Sequence, residues 1–66
     1  MSVGEIISAL ALCASSFDDN KDRLIMLKSV YSIEVDDEND CIDVYFVDGN
    51  TQNIKIHKDG TWEALD

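Results

Sequence analysis

His57 is the only histidine in this chain of 66 residues, so any acid–base or metal chemistry at neutral pH would centre on it. It lacks the company that either role needs. No cysteine or carboxylate stands at a ligand spacing from it, and the alternation around it aims it at the outer face of a strand beside Lys55. A nucleophilic serine needs a base and an orienting acid on a positioned turn, and Ser8, Ser15, Ser16, Ser29 and Ser32 have no such setting. Cys13 and Cys41 form neither a Cys-x-x-Cys pair nor a metal knuckle.

The acidic runs invite a calcium test. Asp36, Glu38 and Asp40 have the one-three-five spacing of a helix-loop-helix calcium loop, but Cys41 stands where that loop needs Gly and Val47 where it needs Glu. Asp18, Asn20 and Asp22 fail in the same way, with Arg23 and Ser29 at those positions. Both runs read as solvated turns between periodic segments. The expectation is a protein with no cofactor, no metal and no catalytic residue.

The elements that carry these residues follow from periodicity. Ser2 and Glu5 form a capping-box pattern, and Val3, Ile6, Ile7, Leu10, Cys13, Ala14 and Phe17 recur at steps of three and four, which predicts a helix to about Ala14 or Ser16. Leu12 lies off that stripe. Ser15 to Arg23 reads as a polar connector in which Ser16 with Asp19 would make a second cap. Over 18–28, helix and strand periods compete, with acids early and Lys28 late favouring a short helix. From Val30 the period is two: Tyr31, Ile33 and Val35 on one face, then a polar turn at 36–40. Cys41 to Val47 follows, with Ile42, Val44 and Phe46 inward and Cys41, Asp43, Tyr45 and Val47 outward. Asp48-Gly49-Asn50 turns into a strand with Ile54 and Ile56 inward, and Asp59-Gly60 into a last strand, Thr61 to Leu65, with Trp62 and Ala64 inward. The predicted fold is α+β, with one or two N-terminal helices packed on a three- to four-stranded antiparallel β-meander. Residues 1–66 are expected to form a single small acidic domain, with Ile6, Leu10, Phe17, Ile33, Val44, Phe46, Ile54 and Trp62 as its core.

The apolar run Ile6 to Cys13 superficially resembles a lipoprotein signal, but Glu5 precedes it, no Lys or Arg does, and Leu12 stands where a small residue is expected. It is too short to span a bilayer. A cytoplasmic location with both thiols reduced is the expectation, and no bond between Cys13 and Cys41.

Charge is the outstanding feature. The chain has 14 acids, 5 Lys or Arg and a net charge of −9. Residues 29–54 hold half of those acids (Glu34, Asp36, Asp37, Glu38, Asp40, Asp43 and Asp48) and no base. So acidic a chain is not expected to bind nucleic acid through its phosphates, nor a membrane. One use of such a strip is solubility and protection of sheet edges. The other is occupation of a basic protein surface. Alternate residues of a strand lie about 6.6–6.8 Å apart, an interval broadly like that of successive phosphates. In size and charge the chain invites comparison with small acidic phage proteins that block restriction, repair or CRISPR machinery through such a display, an analogy that rests on no family motif. The sequence therefore predicts a non-enzymatic, stoichiometric binding protein, a phage or mobile-element inhibitor of a bacterial nucleic-acid-binding enzyme or complex. The alternative is a self-associating, homodimeric interaction module that uses the outer sheet face around Tyr45, Val47, Lys55 and His57.

Overall fold

In the computed structural model, which describes residues 1–65, two helices precede a four-stranded antiparallel sheet: α1 (Val3–Ser15), α2 (Asn20–Lys28), β1 (Val30–Asp36), β2 (Cys41–Phe46), β3 (Ile54–His57) and β4 (Trp62–Ala64). The sheet order is β1-β2-β3-β4, so every strand pairs with its neighbour in sequence. Among the described residues no helix is long and apolar enough to cross a membrane.

The start of α1 is fixed by its own side chains. Glu5 N–H donates to Ser2 Oγ at 3.2 Å, and Ser2 N–H donates to Glu5 Oε1 at 2.9 Å, a complete capping box. The helix buries Ala9, Cys13 and Ala14, with Ile6 and Leu10 packed beside them. Val3 and Ile7, which the spacing groups with this face, are 73% and 61% exposed. The helix rests on α2 and β3 over a narrower arc than its apolar stripe, and the small Ala9 lets the two layers approach.

Helix wins over strand at 20–28. Asp19 alone caps α2, accepting from Lys21 N–H at 2.9 Å, while Ser16 instead ends α1. One turn of this short helix faces the sheet, so Met26 is buried and Leu24, Ile25 and Leu27 stay exposed.

In the sheet, Val35 pairs with Ile42 and Ile42 with Ile56, and Ile33 pairs with Val44 and Val44 with Ile54. Ile33, Ile42, Val44, Ile54 and Ile56 of these rows, with α1 and Met26 above them, are the core; Ile42, Val44 and Ile56 are wholly buried, while Val35 on the edge strand is exposed. The register slips between Val30 and Ser32, leaving Tyr31 as the extra residue of a β-bulge. Val30 therefore packs with Ile33 against the core and Tyr31 is exposed, a correction to the simple alternation. Trp62 is a second correction. On the short edge strand β4 its side chain is 49% exposed and stands outside the buried cluster.

Two contacts seat the β3–β4 turn on α1. Gly60, at φ +91°, lies against Leu12 and Cys13, and Lys58 Nζ lies 2.6 Å from Glu5 Oε2. Lys58, then the Ser2 N–H, holds the Glu5 carboxyl down at about 2, against an ordinary value of 4.5. Because the folded value is the lower one, the stabilisation is complete above about pH 4.5. It drains away as the unfolded chain takes up its proton first, down to about pH 2. Thermal melts at low salt should show Tm falling through this window, with a shallower fall for Glu5→Gln. Equal slopes would show that the pair contributes nothing to stability.

Candidate functional site

The seven acids of residues 29–54 divide by position. Alternation along β1 and β2 places Glu34, Asp36 and Asp43 on the face away from the helices. The turn 37–40 carries Asp37, Glu38 and Asp40 at one end of the sheet. Asp48 lies beyond the opposite end of β2, roughly 20 Å away at the usual strand rise, so it belongs to a different part of the surface.

Asp36 is committed to shaping the turn. It accepts from Glu38 N–H at 3.2 Å, Asn39 N–H at 3.3 Å and Asn39 Nδ2 at 2.8 Å. The Asn39 side chain foremost, with these backbone donors, holds its carboxyl below the ordinary range, so it stays ionised. Asp40 completes the turn at φ +51°, where an Asp is tolerated. Asp37 pairs with the Met1 amino group. Among the described residues no hydrogen bond or ion pair engages the carboxylates of Glu38 and Asp40. Asp48 shapes the β2–β3 loop, accepting from Asn50 N–H at 2.9 Å and Thr51 Oγ1 at 3.2 Å.

The outer face is a lattice of paired polar groups. Glu34, Asp43, Lys55 and Glu63 form one cross-strand row, and Asp36, Cys41 and His57 form the next. Lys55 Nζ stands 3.1 Å from Asp43 Oδ1. The alignment is electrostatic rather than that of a good hydrogen bond, and Asp43 Oδ1 has no hydrogen-bond partner. This contact holds the Lys55 ammonium above its ordinary value, so the lysine stays charged opposite Asp43. Tyr45 Oη donates to Glu34 Oε2 at 3.3 Å. Desolvation first, then the charges of Glu34 and Asp43, raises its phenol. His57 Nε2 lies 3.7 Å from Glu63 Oε2. Glu63 is the one member of this face that the sequence did not single out, and its place opposite Lys55 depends on strand register.

The residues of the alternative interface are therefore not one apolar patch. Tyr45, Lys55 and His57 are half-buried, each against a carboxylate, and Val47 stands apart past the end of β2, 66% exposed. Cys41 is wholly buried on this outer face, with its Sγ 3.6 Å from Lys55 Nζ. Cys13 is buried in the core on the other side, where desolvation pushes its thiol up. The two cysteines are free thiols.

What remains available is the β1 side of the sheet and its turn. Among the described residues no ion pair engages Glu34, Asp36, Glu38 or Asp40, and they lie along a strand whose other edge is open. Compared with protein-family models, curated proteins and solved structures, the chain matches none of them.

Proposed function

We propose that this protein acts by stoichiometric binding, without catalysis, and that Glu34, Asp36, Glu38 and Asp40 on β1 and its turn occupy a basic surface that otherwise holds nucleic-acid phosphates. In its concrete form it is a phage- or mobile-element-encoded inhibitor of a bacterial nucleic-acid-binding protein, working in the cytoplasm. The observation that carries the reading is the partition of charge. Lys55 is paired with Asp43 in the middle of the sheet and the Met1 amino group with Asp37, whereas among the described residues no ion pair engages Glu34, Asp36, Glu38 or Asp40. Glu34 and Asp36 share a face at the two-residue interval of about 6.6–6.8 Å. An array of this kind costs self-repulsion and gains it back against a partner of opposite sign.

The test variant is Glu34→Gln, Glu38→Gln, Asp40→Asn. It removes three charges and leaves Asp36 to hold the turn. Wild-type protein immobilised and exposed to bacterial lysate should capture basic nucleic-acid-binding proteins and release them near 1 M salt, where the screening length is about 3 Å. The purified captured protein should lose its DNA or RNA to wild type at a one-to-one ratio. The variant should bind roughly tenfold or more weakly, mainly through slower association. Equal binding by the variant, or a captured protein that keeps its nucleic acid, overturns the proposal and returns the acids to solubility.

A further inference from the structure

Both phenylalanines and the only tryptophan of the chain line one hollow, while the wholly buried core is built from Ala9, Cys13, Ile42, Val44 and Ile56. That inverts the usual use of aromatics in a small domain, where they supply most of the buried area. The hollow lies between α2, the β2–β3 loop and β4. Phe17, Ile25, Met26, Phe46, Ile54 and Trp62 form its apolar wall. It is on the helix side of the sheet and toward the end of β2 remote from the acidic turn, so it is separate from the surface proposed above.

Two properties select the occupant. The volume is about 240 Å³, below the roughly 300–1,000 Å³ of pockets that enclose a drug-sized ligand or cofactor. That space suits one bulky side chain. The charge on its lining has one sign. Asp22 is the only charged lining residue, Thr51 on the rim is held by Asp48, and Asp18 follows Phe17 in the chain. The nearby Arg23 does not line the hollow, and its guanidinium is engaged, donating to Phe17 O at 2.7 Å and Asn20 Oδ1 at 2.8 Å.

We propose that this hollow is an anchor pocket that takes one aromatic or large aliphatic side chain from a Lys- or Arg-flanked segment of a partner protein. The anchor's apolar body is desolvated against Phe17, Phe46 and Ile25, and Trp62 closes over it. The flanking cations meet Asp22 and the acids of the rim. A half-exposed Trp in a shallow apolar pocket is the composition of an interface hot spot.

Trp62 supplies the readout, since its fluorescence is the whole of the protein's tryptophan signal. The probe is a capped pentapeptide with a central Phe between lysine pairs, titrated at low salt beside twins with a central Ala and with glycine flanks. The Phe–lysine peptide should give a saturable shift of Trp62 emission. Each twin should bind at least tenfold more weakly. Ile25→Gln, at a half-exposed wall position that leaves the buried core intact, should reduce binding of the Phe–lysine peptide to that of the Ala twin, with an unchanged circular dichroism spectrum. The Glu34→Gln, Glu38→Gln, Asp40→Asn variant should keep the Phe-over-Ala preference, which separates this site from the acidic strip. Equal binding of the Phe and Ala peptides, or wild-type binding by Ile25→Gln, overturns the pocket. Equal binding of the glycine-flanked peptide overturns the basic segment.

Discussion

Gly60→Ala is expected to cost about 2–5 kcal/mol, a large part of the roughly 3–10 kcal/mol that a chain of this length commands. Two penalties combine. At φ +91° an L-residue carries strain of about 1–2 kcal/mol. The added Cβ would also lie 2.5 Å from Leu12 Cβ, 3.1 Å from Leu12 C and 3.2 Å from Cys13 N. None of these is the free end of a flexible side chain, so the turn must lift off the helix, and overpacking of this kind costs about 1–3 kcal/mol. Gly49→Ala is the control, because a Cβ there meets nothing within 4 Å and its φ is ordinary. Its midpoint in urea should stay within a few tenths of a kcal/mol of wild type or rise slightly. Equal midpoints for Gly60→Ala and wild type would show that the β3–β4 turn does not sit on α1.

Ile42→Ala should cost about 2–5 kcal/mol, and Phe46→Ala less. Ile42 is wholly buried, with Val35 and Ile56 beside it in its row, and truncation leaves a hole that strands on both sides hold open. Phe46 is the last residue of β2 and lines an open hollow, so solvent already reaches part of its ring and no closed cavity forms. The sequence alone favours the opposite order, because Phe is the larger residue on the same inward face. Denaturant midpoints for the two variants decide between them, and a larger loss at Phe46 would mean the ring is more enclosed than its position at the mouth of the hollow implies.

The helix-plus-meander fold is legible because each local signal agrees with the next. Ser2 and Glu5 cap α1, Asp19 caps α2, and Ile42, Val44, Ile54 and Ile56 alternate cleanly. Tyr31 escapes a period-two reading because a bulge is decided by pairing with β2 and not by β1 itself. Ala9 escapes because hydrophobic patterning weights size, whereas close packing of a helix on a sheet rewards its absence. For the site, the count of acids is legible and their arrangement is not. Asp43 is paired with Lys55, Asp36 shapes the turn while keeping its charge and Asp48 lies at the far end, all through cross-strand register or turn geometry. The aromatic hollow is invisible in the sequence because Phe17, Phe46 and Trp62 are far apart along the chain.

The neighbour-to-neighbour order of the strands also bears on how quickly the protein assembles. Each hairpin closes a short loop, and the chain has no proline to impose a slow isomerisation. The β3–β4 hairpin closes a far shorter loop than the seating of Gly60 on Leu12, which joins positions on either side of most of the chain. Closing that distance is the costly entropic step, and in the folded chain Glu5 and Lys58 pair across it. The ion pair thus ties the first turn of α1 to the last hairpin, at the contact whose closure costs the most chain entropy.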